Sequence, residues 1–490
     1  MLRLTIGGAT GTVWAMNFSI QRFRFHVLPM RLRFPFKYGI ASMTVVPHVF
    51  VNVDLVVNGR EVIGLSSEGL ALKWFTKNPE TPFEADLCEM IAVIQNASRI
   101  ARLAAERPVG FFAWWQDLYA EQASWAKVRE VPPLLANLGV SLMERAVLDG
   151  ICKALGRPLH AVLGSEELGI DLSAVRGVKV GKALVDRPLE RVHVRHTIGL
   201  GDELRAIEIP AAEQVNDGLP QALDESIRAY GLSFFKIKIC GKAETDLPRL
   251  REVTRILVEN CPRGFKTTLD GNEQFHDLAS FRDYYAMLRA EKALEPLFEQ
   301  LLLIEQPLHR AKALGDEMAA LRECKDMPGM IIDESDGSLD DLPRALELGY
   351  RGTSHKNCKG IVKGLANAAL LRMRPDSILS GEDLCSIGPV AMLQDVAVQV
   401  ALGVAHVERN GHHYFRGLDV YPEALQRDVL AAHDGFYEWH AEGFPVLRIK
   451  DGQMDVTSVN AAPFGCGPML SMEPYEALDA WIKRGGLGEL

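Results

Sequence analysis

The chain has 490 residues, 48% of them hydrophobic and 24% charged, and carries a net charge of −10 at pH 7. That length holds more than one domain and a large core, while the acidic balance leaves no basic stripe to neutralise nucleic-acid phosphates. No uninterrupted apolar run is long enough for a transmembrane helix, and the eight scattered cysteines form no CxxC pair, which argues for reduced thiols in the cytoplasm rather than a disulfide framework or structural zinc.

Residues 1–16 read as a disordered extension, because the apolar run is too broken for a secretory signal. Residues 17–133 read as an α+β capping domain. From Ser19 to Gly69 apolar and polar residues alternate about the hairpin turn Asn58-Gly59. Glu84 to Arg107 carries Leu87, Met90, Ile91, Ile94, Ile100 and Leu103 near helical spacing. In residues 138–164, Met143, Val147 and Ile151 stack at i, i+4, and Ala146, Gly150 and Ala154 form a small-residue face suited to close packing.

Residues 134–420 have the pattern of a (β/α)8 barrel. Its first strand is RVHVRHTIGL (Arg191 to Leu200), followed by a long loop, Gly199 to Asp217, that is either a lid or a plain surface insertion. GLPQALDESIRAYG then reads as a helix stopped by Gly231. Seven further strand-length runs follow: SFFKIKI, KTTLDGN, LLLIEQP, GMIIDES, GTSHKNC, SILSGED and AHVERNG. Such alternation of strands with helix-length gaps argues a parallel sheet closed into a barrel, whose C-terminal strand ends gather at one face. Residues 421–490, with a hairpin pattern about Asp451-Gly452, read as a segment returning to the capping domain.

Most of these runs end in a carboxylate or a lysine. Asp270, Glu305 and Asp333 end three consecutive strands, and adjacent strands lie about 4.8 Å apart, so their oxygens can converge on a hard cation such as Mg²⁺, with Mn²⁺ as the alternative. Salt bridges to the lysines are the plainer reading of each carboxylate alone. Lys236 and Lys238 share one strand face, and Lys356 ends a strand across the barrel mouth. Clustered cations lower one another's pKa, which is how enzymes bring a lysine to about 7–8 for general-base work.

KIK, LDGN, IEQP, DES and SHK, in this order, resemble the enolase superfamily, specifically its muconate-lactonizing-enzyme-like subgroup within the mandelate racemase/muconate lactonizing enzyme family. The resemblance spans about Val140 to Gly411; the gap from Asp270 to Glu305 is longer than usual and implies an extended third barrel helix around AEKALEPLFEQ. It implies Mg²⁺ on Asp270, Glu305 and Asp333, Lys238 and Lys356 as acid/base lysines on opposite faces of the substrate, and Lys236 as an auxiliary lysine. Asn272 and Glu334 would hold the metal ligands in place. The reaction implied is removal of the proton α to a substrate carboxylate through an enediolate, giving a racemase, epimerase or cycloisomerase. A β-eliminating lyase of the o-succinylbenzoate synthase or acid dehydratase type is the alternative, and a non-catalytic binding or structural relative is a third reading. A small carboxylate substrate, no nucleic-acid or membrane partner and a homo-oligomer complete the expectation.

Two departures narrow the class. No histidine stands where mandelate-racemase-like dehydratases carry an Asp–His dyad, and Glu408-Arg409-Asn410 replaces the Asp-x-Asp of dipeptide epimerases. Tyr38, Lys73, Trp74, Glu382 and Glu408 are candidate substrate contacts. Trp74 and Phe75 read equally as lid or as buried interface, His412 and His413 as contacts to substrate or a neighbouring subunit or, more plainly, as solvated loop residues, and His355 as pointing outward from its strand. Cys358 and Cys385 lie near strand ends and read either as lining the site or, more plainly, as small core residues.

Overall fold

The structure, a computed structural model, describes residues 16–38, 40–177, 179–467 and 470–489. The expected disordered extension lies outside the described residues except for Met16, which is buried.

The cap begins with three antiparallel strands, β1 (Phe18–Tyr38), β2 (Ala41–Val57) and β3 (Arg60–Gly69). Asn58 and Gly59 join β2 to β3 with φ of 49° and 84°, the two left-handed residues that a tight hairpin requires. On β2, Val49, Val51, Val53, Leu55 and Val57 are all buried, the period-two face of a strand. Three helices pack on the sheet: α1 (Phe83–Ala104), α2 (Phe111–Val128) and α3 (Pro133–Leu155). The sequence reading missed α2. Its buried face is largely aromatic (Phe111, Phe112, Trp114, Trp115), a residue class with modest helix propensity, so packing on α1 and α3 decides its conformation. The small-residue face of α3 does make a close approach: a Cβ at Gly64 of β3 would lie 1.9 Å from the Ala146 carbonyl oxygen.

The barrel expectation holds. β4 (Arg191–Ile198), β5 (Phe234–Lys238), β6 (Lys266–Asp270), β7 (Leu301–Glu305), β8 (Met330–Ile332), β9 (Gly352–His355), β10 (Ile378–Gly381) and β11 (His406–Arg409) pair in parallel in that order, and β11 closes on β4. α3 is buried from Leu134 to Cys152 and fastens cap to barrel. Its Glu144 accepts the N–H groups of Ile361 and Val362 at 2.9 and 2.6 Å, satisfying the free donors at the start of helix Ile361–Leu371. The extended third helix does not form. Helix Leu278–Ala290 ends where Glu291 turns extended, and a 3₁₀ turn (Lys292–Leu294) and a short helix (Glu295–Glu299) take up the extra residues.

The hairpin turn at Asp451-Gly452 forms as read, with φ of 51° and 71° and Lys450 bridged to Gln453, but the strands beyond it find other partners. β12 (Tyr437–Trp439) pairs with β13 (Pro445–Leu447), whereas β14 (Gln453–Asp455) runs antiparallel to the start of β4. β15 (Glu476–Ala477) then pairs with β1 of the cap, and helix Leu478–Lys483 packs on β1 with Trp481 wholly buried. Trp481→Ala is expected to destabilise the protein by about 3–5 kcal/mol, the range for a large aromatic removed from a core, seen as a lower urea midpoint at unchanged m-value.

Candidate active site

Strand register brings the motif residues to one end of the barrel. Lys238 of β5 lies opposite Asp270 of β6, and Asp270 opposite Glu305 of β7. Asp333, Lys356 and Glu382 each follow directly on β8, β9 and β10, and Glu408 lies in β11. All of them are buried.

Lys236 sits among four carboxylates, 2.9 Å from Asp270, 2.8 Å from Glu305, 2.6 Å from Glu382 and 3.1 Å from Glu408. Burial alone would lower its pKa; the four negative charges overcome this and hold it well above the usual lysine value. Lys238 donates to Asp270 and to the Asn272 side-chain oxygen, both at 2.6 Å. Lys356 lies 2.8 Å from Asp333. Burial works against its charge too, yet Asp333 raises its pKa above the ordinary value. Lys236 does depress the Lys356 pKa, as clustered cations should, but the carboxylates outweigh it, so neither Lys236 nor Lys356 is brought down toward about 7–8.

Supporting contacts fix the strand ends. Asn272 donates to Glu334 at 3.0 Å and its backbone N–H donates to Asp270 at 2.9 Å, which places Asn272 and Glu334 beside the acidic cluster as expected. Gln306, a residue given no role from sequence, accepts the Asp333 N–H at 2.8 Å and donates to Ser335 at 2.8 Å, tying β7 to β8. Lys359, also missed, reaches the Asp333 carboxylate and the Ser354 hydroxyl at 2.8 Å each.

The largest omission is Arg195. Wholly buried inside the barrel, it donates to His406 Nδ1 at 2.6 Å, to Ser380 Oγ at 2.9 Å and to Glu382, which in turn accepts from Lys236. The signal was there: with Val192, Val194 and Ile198 on one face of the first strand, His193, Arg195 and Thr197 must take the other.

A small cavity opens above these groups, lined by Lys236, Lys238, Lys356, Asn272, Glu408 and Asn410 below, and by Phe36, Met43, Ala71 and Trp74 of the cap. Trp74 lies over the Lys356 ammonium, 4.2 Å from ring centre to Nζ, a cation–π distance. Arg310 positions it, donating to the Trp74 and Phe75 carbonyls at 2.8 and 2.6 Å while paired with Glu273 at 2.7 Å. Phe75 is buried outside this lining, and Cys385 joins it.

Other candidates fall elsewhere. Lys73 turns away from the cavity to Asp86 and Thr81 Oγ1, both at 2.7 Å, because its backbone is left-handed there, with φ 63°. Glu382 is drawn beneath the cavity by Arg195 and Lys236 and does not line it. Tyr38 ends β1, and its side chain lies outside the described part of the structure. No residue of the loop 199–217 lines the cavity among the described residues; Asp202 is tied to Tyr414 at 2.7 Å, and Asp217 is paired with Arg33 of the cap at 2.6 Å. His412 and His413 are buried rather than solvated. The helical turn that carries them folds under β1, where Phe34 meets the His413 ring at 4.8 Å. His355 faces outward toward the helix layer, against Gly364.

Six carboxylates (Asp270, Glu305, Asp333, Glu334, Glu382, Glu408) meet five cations (Lys236, Lys238, Lys356, Lys359, Arg195) in this cluster. Burial and the nearby Asp333 charge push Glu334 up to about 7. Glu334 Oε2 is buried without a hydrogen-bond partner, and Glu305 Oε2 meets only the Lys236 ammonium, outside hydrogen-bond geometry. As the side chains stand, Asp270 and Glu305 turn to Lys236 and Asp333 turns to Lys356 and Lys359, so among the described residues no group of three or more acids is gathered as ligands of one ion. The chemistry of the set nonetheless fits a hard divalent cation: all donors are carboxylate oxygens, and acceptor capacity is unused.

Comparison with known proteins adds the fold. No protein-family model and no curated protein matches the sequence. Among solved structures, the chain is similar to a muconate lactonizing enzyme from Pseudomonas fluorescens complexed with muconolactone (TM-score 0.58, 16% identity, covering 93% of this chain and 97% of that one). The chain has the mandelate racemase/muconate lactonizing enzyme fold. A mandelate racemase/muconate lactonizing protein from Herpetosiphon aurantiacus shares that fold (TM-score 0.56, 18% identity, 90% and 97% covered). So does an enolase from Bradyrhizobium complexed with magnesium and mandelic acid (TM-score 0.56, 15% identity, 94% and 99% covered). No helix among the described residues is long and apolar enough to cross a membrane.

Proposed function

We propose that this protein is a Mg²⁺-dependent isomerase that removes and returns the proton α to the carboxylate of a small-molecule substrate. The observation that carries the reading is that Lys238 and Lys356, rooted on β5 and just after β9, line one cavity roofed by Trp74. A carbon between two amines can lose its proton to one and regain it from the other, which favours racemisation or epimerisation over β-elimination. Two of the similar structures are described as complexes with muconolactone and with magnesium and mandelic acid, ligands that suit the same assignment.

Asp270, Glu305 and Asp333 would hold the ion. When bound, it would supply Lewis-acid stabilisation to the charge that develops on the substrate carboxylate. The chain's own residues do the rest. Lys236, kept charged by its carboxylates, is a fixed cation beside the acidic cluster. Lys356, kept charged by Asp333, begins as the proton donor, and Lys238 is the base on the opposite face. Trp74 covers Lys356 and keeps water from it.

The test is hydrogen exchange. Incubation with Mg²⁺ and a panel of α-substituted carboxylates in D2O is expected to place deuterium at the α-carbon of the accepted acid, with inversion detected by chiral chromatography. Exchange with an alkene product in place of inversion would favour the lyase reading, and absence of exchange from every acid would reject the proposal.

A further inference from the structure

The end of the barrel opposite the lysines carries a second cavity, of about 1060 Å³. Its walls come from the starts of β4, β5 and β6 (Arg191, His193, Phe234, Lys266), from the turn at 261–265, and from the C-terminal segment around β14. We propose that this cavity is a binding site for a small organic polyanion, a compound of nucleotide size carrying two or more phosphate or carboxylate charges.

Charge makes the first argument. Arg191, Arg263, Lys266, Arg448 and Lys450 line the cavity, against only Asp451 and Asp455, in a chain whose overall charge is −10. Both acids are already engaged: Asp451 pairs with Arg263 at 3.1 Å, and Asp455 accepts the Thr457 N–H at 3.0 Å. Arg448 leans toward Glu438 at 3.5 Å. Arg191 and Arg448 lie close enough to Asp455 to lower its carboxyl pKa, and Lys266 donates to Gln300 at 2.9 Å, which still leaves five cations against two acids around the cavity. That positive excess faces one concave space, whose low-dielectric wall focuses the field on whatever enters. On a convex surface, the same residues would simply be solvated.

The floor makes the second. The His193 and Phe234 rings, both lining the cavity, lie 4.6 Å apart at a tilt of 36°, and Phe234 also stacks on His406 at 5.1 Å. Burial lowers the His193 pKa, so the ring is neutral; with Nε2 accepting from Gln453 at 2.9 Å, Nδ1 carries the hydrogen, and it is buried without a partner. The cavity thus offers positive charge and aromatic surface together, in a volume of small-molecule size. It is distinct from the lysine cavity and shares no lining residue with it.

Isothermal titration of the full chain at low salt tests this with three probes: ATP, citrate and inorganic phosphate. Binding of ATP is expected, weakening as salt is raised, and the citrate and phosphate arms separate carboxylate from phosphate recognition. Lys266→Glu/Lys450→Glu, both exposed positions, should weaken binding at least tenfold. The charge-keeping Lys266→Arg/Lys450→Arg should bind as the parent does, and Lys238→Ala should leave the affinity unchanged. No binding of any probe at millimolar concentration overturns the proposal. So does equal binding by the charge-reversed variant, or loss of binding in Lys238→Ala, which would place the anion at the other end of the barrel.

Discussion

Lys238→Ala and Lys356→Ala are each expected to lower catalysed inversion by about 10²–10⁴-fold, the contribution of a positioned acid or base, without loss of Mg²⁺ binding. Neither side chain supplies an oxygen ligand, and each donates to an acidic residue that keeps other partners: Asp270 retains Lys236 and Asp333 retains Lys359. The two variants should differ in a further way. Because the amines approach the cavity from separate strands, Lys356→Ala should still wash deuterium into the enantiomer whose α-hydrogen faces Lys238, without inverting it. Lys238→Ala should do the same with the opposite enantiomer. Chiral separation and mass spectrometry of substrate recovered from D2O read both effects. Full inversion by either variant would remove that lysine from the mechanism, and loss of all exchange in both would mean that the two act as one unit.

Arg195→Met is expected to destabilise the fold by about 3–5 kcal/mol, the usual result of removing one partner from a buried ion pair. Its guanidinium is the only arginine charge set against the cluster beneath Lys236 among the described contacts. Without it, Glu382 and Glu408 both depend on Lys236, which Asp270 and Glu305 already share. Such a loss is a large fraction of the roughly 5–15 kcal/mol that stabilises a typical domain. The double variant Arg195→Met/Glu382→Gln removes the stranded charge with the guanidinium and should recover much of the stability. Urea unfolding of the parent and both variants measures this. A single variant as stable as the parent, or a double variant worse than the single one, would show that the pair does not balance the barrel interior.

The sequence by itself determined the barrel, the order of its strands and which end gathers the lysines and carboxylates. Those properties are local: an apolar run of strand length sets each strand, and a polar residue at its close marks the polar face of the barrel, so Lys238, Asp270, Glu305, Asp333 and Lys356 could be read in order along the chain. The hairpin at Asn58-Gly59 was legible for the same reason. Tertiary structure alone decided which charge meets which. Arg195 and Glu382 are 187 residues apart, and no pattern in either segment announces the other. It also decided that Lys73 serves the cap and that the loop 199–217 is tied down beside the barrel. Local pattern fixes the direction of a side chain along its strand. The partner of a buried charge depends on every group folding brings within a few ångströms, and the energy of that meeting is what holds Lys236 and Lys356 protonated.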